Sequence, residues 1–229
     1  MNRGYFLTGT DTDCGKTHVA CEVIRLLRGL GLRVAGFKPV AAGAVLSDGK
    51  LQNDDALALM AASGLDLPYD WVNPYCFRPP IAPHLAAADC GSEIALDRIL
   101  DAFVHLGDSS DLIVAEGAGG WAVPLGRELD MPALASALGL PVVLVVGLRL
   151  GCLNHARLSA QSIVASGVAL DGWIGSQVDP QMVRVEDNIA SLEGLLEAPC
   201  LGVVPHPSAP PLRRPRPLSV AHLEARARG

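Results

Sequence analysis

Nine residues near the start of the chain, Gly9-Thr-Asp-Thr-Asp-Cys-Gly-Lys-Thr17, constrain its fold more than any others. A short apolar run, Tyr5-Phe6-Leu7, precedes them and reads as a buried strand. After them Val19, Val23, Ile24, Leu26, Leu27 and Leu30 recur at helical spacing across Thr17 to Leu30. Strand, glycine-containing turn, Gly-Lys-Thr and helix are the architecture of a phosphate-binding loop. Gly15 lets backbone N–H groups approach phosphate oxygens, and the helix N-terminus adds unpaired donors and partial positive charge. Lys16 is placed to reach the outer phosphates, and the Thr17 hydroxyl suits Mg²⁺. Five residues separate Gly9 from Gly15, one more than the usual four, so Thr10 stands in the place of the first glycine. A chance Gly-Lys-Thr is the bland alternative, and the strand before and helix after argue against it.

The rest of the chain repeats the alternation. Continuous apolar runs at Tyr5–Leu7, Arg33–Phe37, Leu112–Ala115, Val142–Val146, Gly172–Gly175 and Leu201–Val204 read as strands buried on both faces. Helical patterns lie between or beside them at Thr17–Leu30, Asp54–Ala62, Ile94–Leu106, Met131–Leu138, Asn154–Ser166 and Val183–Leu196. The expected fold is α/β: a mainly parallel sheet with helices on both faces, P-loop NTPase-like, with ligands at the carboxyl ends of the strands. A single domain over residues 1–229 is expected from 229 residues and 23.9 kDa. The Pro-rich stretch from Pro205 to Pro217 reads as an extended surface segment leading to a short C-terminal helix.

Composition narrows the function. A net charge of −6 and a pI near 5.4 argue against a nucleic-acid groove. The longest apolar run, Leu138 to Leu148, is broken by Gly139, Pro141 and Gly147 and is too short to span a membrane. Six cysteines without a C-x-x-C pair argue against zinc. With a strand beginning at once and no leader pattern, a cytoplasmic chain with mostly buried thiols is expected. Cys14, inside the loop, reads as space-filling.

Three further loops carry chemistry. Strand Leu112–Ala115 runs into Glu116-Gly-Ala-Gly-Gly120. An acidic residue at the end of a second buried strand is where a phosphate-loop protein holds Mg²⁺, although a Gly-rich turn follows many strands. Lys38 ends strand Arg33–Phe37, on the same rim as the phosphate loop. A surface lysine that snorkels is the commoner reading, but the chain has three lysines against fifteen arginines, and keeping Lys here suggests a compact point charge. Asn53-Asp54-Asp55 opens a helix, with Asn53 or Asp54 as cap and Asp55 facing the site. Val146 to His155 follows another strand and presents a helix N-terminus that suits an anion, unless Asn154 simply caps it. His84 and His155 read as structural.

Taken in order, Gly9 to Thr17, Lys38-Pro-Val, Asn53-x-Asp-Ala-Leu-Ala-Leu59, Asn73-Pro-Tyr75, Pro83-His84, Val114-x-Glu-Gly-Ala-Gly-Gly-Trp121 and Leu150-Gly-Cys-x-Asn-His155 resemble the dethiobiotin synthetases of biotin biosynthesis. The resemblance runs from about residue 3 to residue 207 with matching spacing. It implies an ATP-dependent enzyme that joins CO₂ to 7,8-diaminononanoate and closes a ureido ring, by way of a carbamate and a mixed carbamic–phosphoric anhydride. By resemblance Lys16 and Lys38 are catalytic, neutralising the γ-phosphate and the carbamate. Asp13, Cys14, Gly15, Lys16, Thr17 and His18 hold the phosphates, with Glu116, Gly117, Ala118 and Gly119 beside them. Thr17, Asp55 and Glu116 surround Mg²⁺. Ser176, Gln177, Pro205, His206 and Pro207 meet the base. Ala42 lies by the substrate, and Gly151, Cys152, Leu153 and Asn154 of a second subunit hold the diamine's carboxylate, which implies a homodimer.

The chain departs from the family pattern where Ala42 replaces a loop serine, Ser176-Gln177 replaces an Asn-Asp pair, and Asn188 replaces a tyrosine. Two rival classes are another phosphate-loop ATP-dependent ligase and an ATPase switch of the partitioning or nitrogenase type. The former carries a glutaminase domain for which 229 residues leave no room. The latter carries a second lysine where this chain has Asp11.

Overall fold

The structure, a computed structural model, describes residues 3–47 and 49–228. Its strands are β1 (Gly4–Gly9), β2 (Val34–Phe37), β3 (Val40–Ala42), β4 (Val45–Ser47), β5 (Lys50–Gln52), β6 (Tyr75–Phe77), β7 (Leu112–Gly120), β8 (Val142–Gly147), β9 (Leu170–Ser176) and β10 (Cys200–Val204). Its helices are α1 (Lys16–Gly29), α2 (Asp54–Ser63), α3 (Tyr69–Val72), α4 (Pro83–Asp89), α5 (Leu96–Ser109), α6 (Met131–Leu138), α7 (Cys152–Ala165), α8 (Val185–Leu195) and α9 (Val220–Arg228). Six strands form one sheet in the order β10-β9-β8-β1-β7-β2, and every neighbouring pair in it is parallel.

Side chains on continuous apolar strands still alternate between faces. In β8, Val142, Leu144 and Val146 enter one core with Phe6, Trp173 and apolar residues of α5 to α8. Val143 and Val145 enter the other, with Tyr5, Leu7 and the inner faces of α1 and α2. Two cores, one on each face, are why these strands read as unbroken hydrophobic runs. The order places β1 centrally, between β8 and β7, so the phosphate loop leaves the middle of the sheet's carboxyl edge.

Several details differ from the sequence expectation. Strand β7 does not stop at Ala115. It continues through the glycines, and Gly9 pairs with Gly120, so Glu116 sits within a strand opposite Leu7. Helix α7 starts at Cys152 with left-handed Gly151 as its cap, and Asn154 lies exposed in the first turn rather than capping. Of the six cysteines, Cys14, Cys21 and Cys152 are buried while Cys76 and Cys200 are half-buried and Cys90 is exposed. Two small pairs were unexpected: β3 with β6 in parallel and the antiparallel hairpin β4–β5.

The Pro-rich segment lies along the free edge of β10. Val203 N–H donates to the Arg216 carbonyl at 2.8 Å, and Ser219 N–H to the Leu201 carbonyl at 2.7 Å. The Arg216 guanidinium grips Glu193 at 3.0 and 2.7 Å. Beyond it α9 packs on α1, with Leu223 fully buried and its carbonyl accepting from the Tyr5 hydroxyl at 3.2 Å.

Candidate active site

The phosphate loop leaves β1 and enters α1 through two left-handed residues, Asp13 (φ 55°) and Gly15 (φ 85°). Glycine is required at 15 on two counts. Its φ lies in the left-handed region, and a Cβ there would collide with the Ser176 hydroxyl at the end of β9. Cys14 points down into the core, with its thiol toward the Val145 carbonyl at 3.7 Å. Lys16 turns back over the loop and donates to the Asp11 carbonyl at 2.9 Å. The Asp11 carboxylate accepts from Arg149 at 2.6 Å and from Thr12 N–H at 2.8 Å, so the outer turn is tied to the loop after β8.

Across the cleft lies a cluster of opposite charges. Lys38, at the end of β2, is 3% exposed, and Glu116 is fully buried. The Lys38 ammonium donates to Glu116 Oε1 at 2.6 Å and to Asp55 Oδ2 at 2.8 Å. The Thr17 hydroxyl donates to the same Glu116 oxygen at 2.8 Å. Burial alone pulls the Lys38 pKa down, but Glu116 and Asp55 outweigh it and hold the ammonium above the ordinary lysine range. Burial likewise pushes the Asp55 carboxyl up, and Lys38 outweighs it, leaving Asp55 below its usual range. Glu116 Oε2 is buried and has no hydrogen-bond partner among the described residues. Asp55 is aimed by its helix: Asn53 caps α2, its side chain accepting from Asp55 N–H at 3.1 Å and Ala56 N–H at 3.4 Å.

A cleft of about 570 Å³ joins these groups. Of the residues expected from sequence, Asp13, Gly15, Lys16, Thr17, His18, Lys38, Ala42, Asp55, Glu116, Ala118 and Gly119 line it. The others lie outside it. Cys14 and Gly117 are buried behind the loop and strand, and Ser176 and Gln177 are buried at the end of β9. Gln177 Oε1 is also buried without a partner among the described residues, as is Thr8 Oγ1. Pro205, His206 and Pro207 begin the segment after β10, and Gly151 to Asn154 form the start of α7. His84 is half-buried in α4, with its Nδ1 unpartnered among the described residues. Among those residues no cluster of three or more His, Cys, Asp or Glu is grouped to hold a metal, and no helix is long and apolar enough to cross a membrane.

Comparison with known proteins gives the chain its family. An AAA domain family matches residues 3–212. The ATP-dependent dethiobiotin synthetase BioD of Aromatoleum aromaticum is 50% identical over 204 residues, which cover 89% of this chain and 91% of that one. The chain belongs to the dethiobiotin synthetase family. The ATP-dependent dethiobiotin synthetase of Pseudomonas paraeruginosa is 48% identical over 227 residues, 98% of this chain and 97% of that one, so the likeness extends through the C-terminal segment. Among solved structures, the MinD cell division protein of Aquifex aeolicus aligns with a TM-score of 0.56 at 13% identity, covering 99% of this chain and 95% of that one. A ParA family ATPase from Chlorobium tepidum aligns at 0.56 and 14% identity, covering 90% of this chain and 85% of that one. These two share the fold, a P-loop NTPase-like parallel sheet.

For a chain of the dethiobiotin synthetase family, the cleft also holds residues to which motif reading gave no role: Thr12, Ala41, Val123, the stretch from Pro80 to Ala82, and Pro83 at the start of α4. Thr12 belongs to the loop itself and was within reach of the motif. Pro83-His84 belongs to the resemblance without a site role, while Pro80 to Ala82 have no spacing that marks them and reach the site because β6 pairs with β3.

Proposed function

We propose that this chain is an ATP-dependent dethiobiotin synthetase, converting 7,8-diaminononanoate, CO₂ and ATP to dethiobiotin, ADP and phosphate. An amine of the diamine adds to CO₂ and gives a carbamate. The carbamate oxygen takes the γ-phosphoryl group of ATP, and the second amine then attacks the carbonyl carbon, closes the ureido ring and expels phosphate. Little covalent work falls to the protein, so positioning and charge neutralisation dominate. One observation carries the reading at the residue level. A buried lysine, Lys38, is held charged by Asp55 and Glu116, on the same cleft as Lys16 and Thr17 of the phosphate loop. In this role Lys38 meets the carbamate and Lys16 the γ-phosphate, while the loop from Asp13 to His18 holds the remaining phosphate oxygens.

Thr17, Asp55 and Glu116 offer the hard oxygen donors that Mg²⁺ prefers, and the unpartnered buried Oε2 of Glu116 fits a cation that completes its coordination. When bound, Mg²⁺ supplies charge neutralisation across the phosphate oxygens. The helix N-terminus at Gly151–Asn154 has no side-chain cap. This supports its use as the carboxylate site for the diamine of a neighbouring copy in a homodimer, which sedimentation analysis at micromolar concentration should detect as a two-chain species.

The test is phosphate release by purified protein with ATP and Mg²⁺. Release should require the diamine and bicarbonate together, and Lys38→Ala should lower it by about a hundredfold, the scale of losing one electrostatic stabiliser. ATP hydrolysis that ignores both co-substrates would instead favour an ATPase switch.

A further inference from the structure

The Lys38–Asp55 contact joins two elements that are not neighbours in sequence, the end of β2 and the first turn of α2. A relay of hydrogen bonds behind the cleft connects the same two elements, and Tyr69 of α3 is its midpoint. The Tyr69 hydroxyl accepts from Asn53 N–H at 2.8 Å and donates to Asn73 Oδ1 at 2.8 Å. The Asn73 amide then donates to the Lys38 carbonyl at 2.6 Å and to the Tyr75 carbonyl at 3.0 Å. On the other side Asn53 caps α2 and holds Asp55 N–H, and its amide donates to the Ala42 carbonyl at 3.2 Å. The Lys38 N–H donates to the Val72 carbonyl at 2.8 Å, so α3 braces the lysine's backbone from both sides.

We infer that Tyr69 is a positioning residue: its hydroxyl sets the spacing between Lys38 and the helix turn that carries Asp55. The inference rests on the dethiobiotin synthetase reading of the site. Neither Tyr69 nor Asn73 lines the cleft, so Tyr69 acts through the residues it holds. The hydroxyl is fully used, accepting one bond and donating one, with the Cys76 sulfur 3.4 Å away. Burial pushes its pKa above the ordinary tyrosine range, so it remains a donor across the working pH range. Asn53 and Asn73 are both buried, and losing the hydroxyl leaves Asn53 N–H and Asn73 Oδ1 without this partner. Each has an incentive to move, and each is one step from a catalytic group.

The test is Tyr69→Phe, which keeps the ring, measured alone and in an Asp55→Asn background with the parent's own turnover as reference. With folding checked by circular dichroism, kcat should fall by about tenfold or more, since small misplacements of reacting groups are costly. KM for ATP should stay within about twofold, because the phosphate loop is not part of the relay. In the Asp55→Asn background Tyr69→Phe should add less than about a twofold loss, since its target is already gone. The same tenfold loss in both backgrounds would mark Tyr69 as a general structural residue, and an unchanged kcat would also overturn the inference. Should Tyr69→Phe fail to fold, Asn73→Ser cuts the relay one link on and must give the same split. A parent without dethiobiotin synthesis refutes the functional reading, whereas an active parent matched by an equally active Tyr69→Phe refutes only the role of Tyr69.

Discussion

Asp55 shows how one residue serves the site and the fold together. Its carboxyl is held below its usual range, so it contributes stability that is present above the unfolded-state pKa and lost as pH falls through the folded value. Lys38 is held above its usual range. Its contribution is fully present below the unfolded lysine pKa and is lost only as pH rises through the higher folded one. The pair therefore acts together from about pH 4 to about pH 10. Asp55→Asn should lower the thermal midpoint at pH 7, modestly, because the Asp55 side chain is 42% exposed and partly screened. The gap should begin to narrow as the pH falls below about 4, where the unfolded chain's carboxyl takes up a proton, and close once the folded carboxyl, held lower, does so too. A gap equally wide at pH 7 and at about pH 3 would mean that the charge of Asp55 has no part in stability.

Element by element, the chemistry that sequence could reveal was tied to strong local rules. All six strands of the main sheet announced themselves as apolar runs, because each is buried between two layers of helices. The sequence left the cap of α2 open between Asn53 and Asp54, and the structure gives it to Asn53, with Asp55 on the cleft. Glu116 was legible as a site residue but misplaced by element. The four residues after it, Gly-Ala-Gly-Gly, read as a turn, yet β7 runs on through them past an irregularity, with Gly119 in a left-handed conformation and Gly120 paired to Gly9 of β1. Strands β3 and β6 are three residues each and exist only because they pair with one another. The relay through Tyr69 was hidden for a similar reason, since its partners at 38, 53 and 73 meet only in three dimensions. The C-terminal segment offers a check at this scale. Leu223 is fully buried against α1, so Leu223→Ala should cost about 2–5 kcal/mol in urea denaturation, the range for a buried leucine. A loss below about 1 kcal/mol would mean that α9 is not part of the cooperative fold.

For the whole molecule, the order of the strands makes the site. Placing β1 between β8 and β7, with β2 beyond β7, sets the phosphate loop, Glu116 and Lys38 side by side along one sheet edge. The groups expected at the base and at the diamine's carboxylate, Ser176-Gln177 and Gly151–Asn154, lie outside this cleft in the single chain. Spacing along the sequence located their strands and helices but could not record which way each side chain faces. The claim that unites these features is that the cleft fixes CO₂ onto a diamine at the expense of ATP. The most direct measurement is mass spectrometry of a reaction containing the protein, ATP, Mg²⁺, 7,8-diaminononanoate and isotopically labelled bicarbonate. The prediction is a cyclic ureido product carrying the label, formed with equal amounts of ADP and phosphate and not formed when ATP is omitted. ATP consumed with no labelled ring, or labelled ring made without ATP, would contradict it.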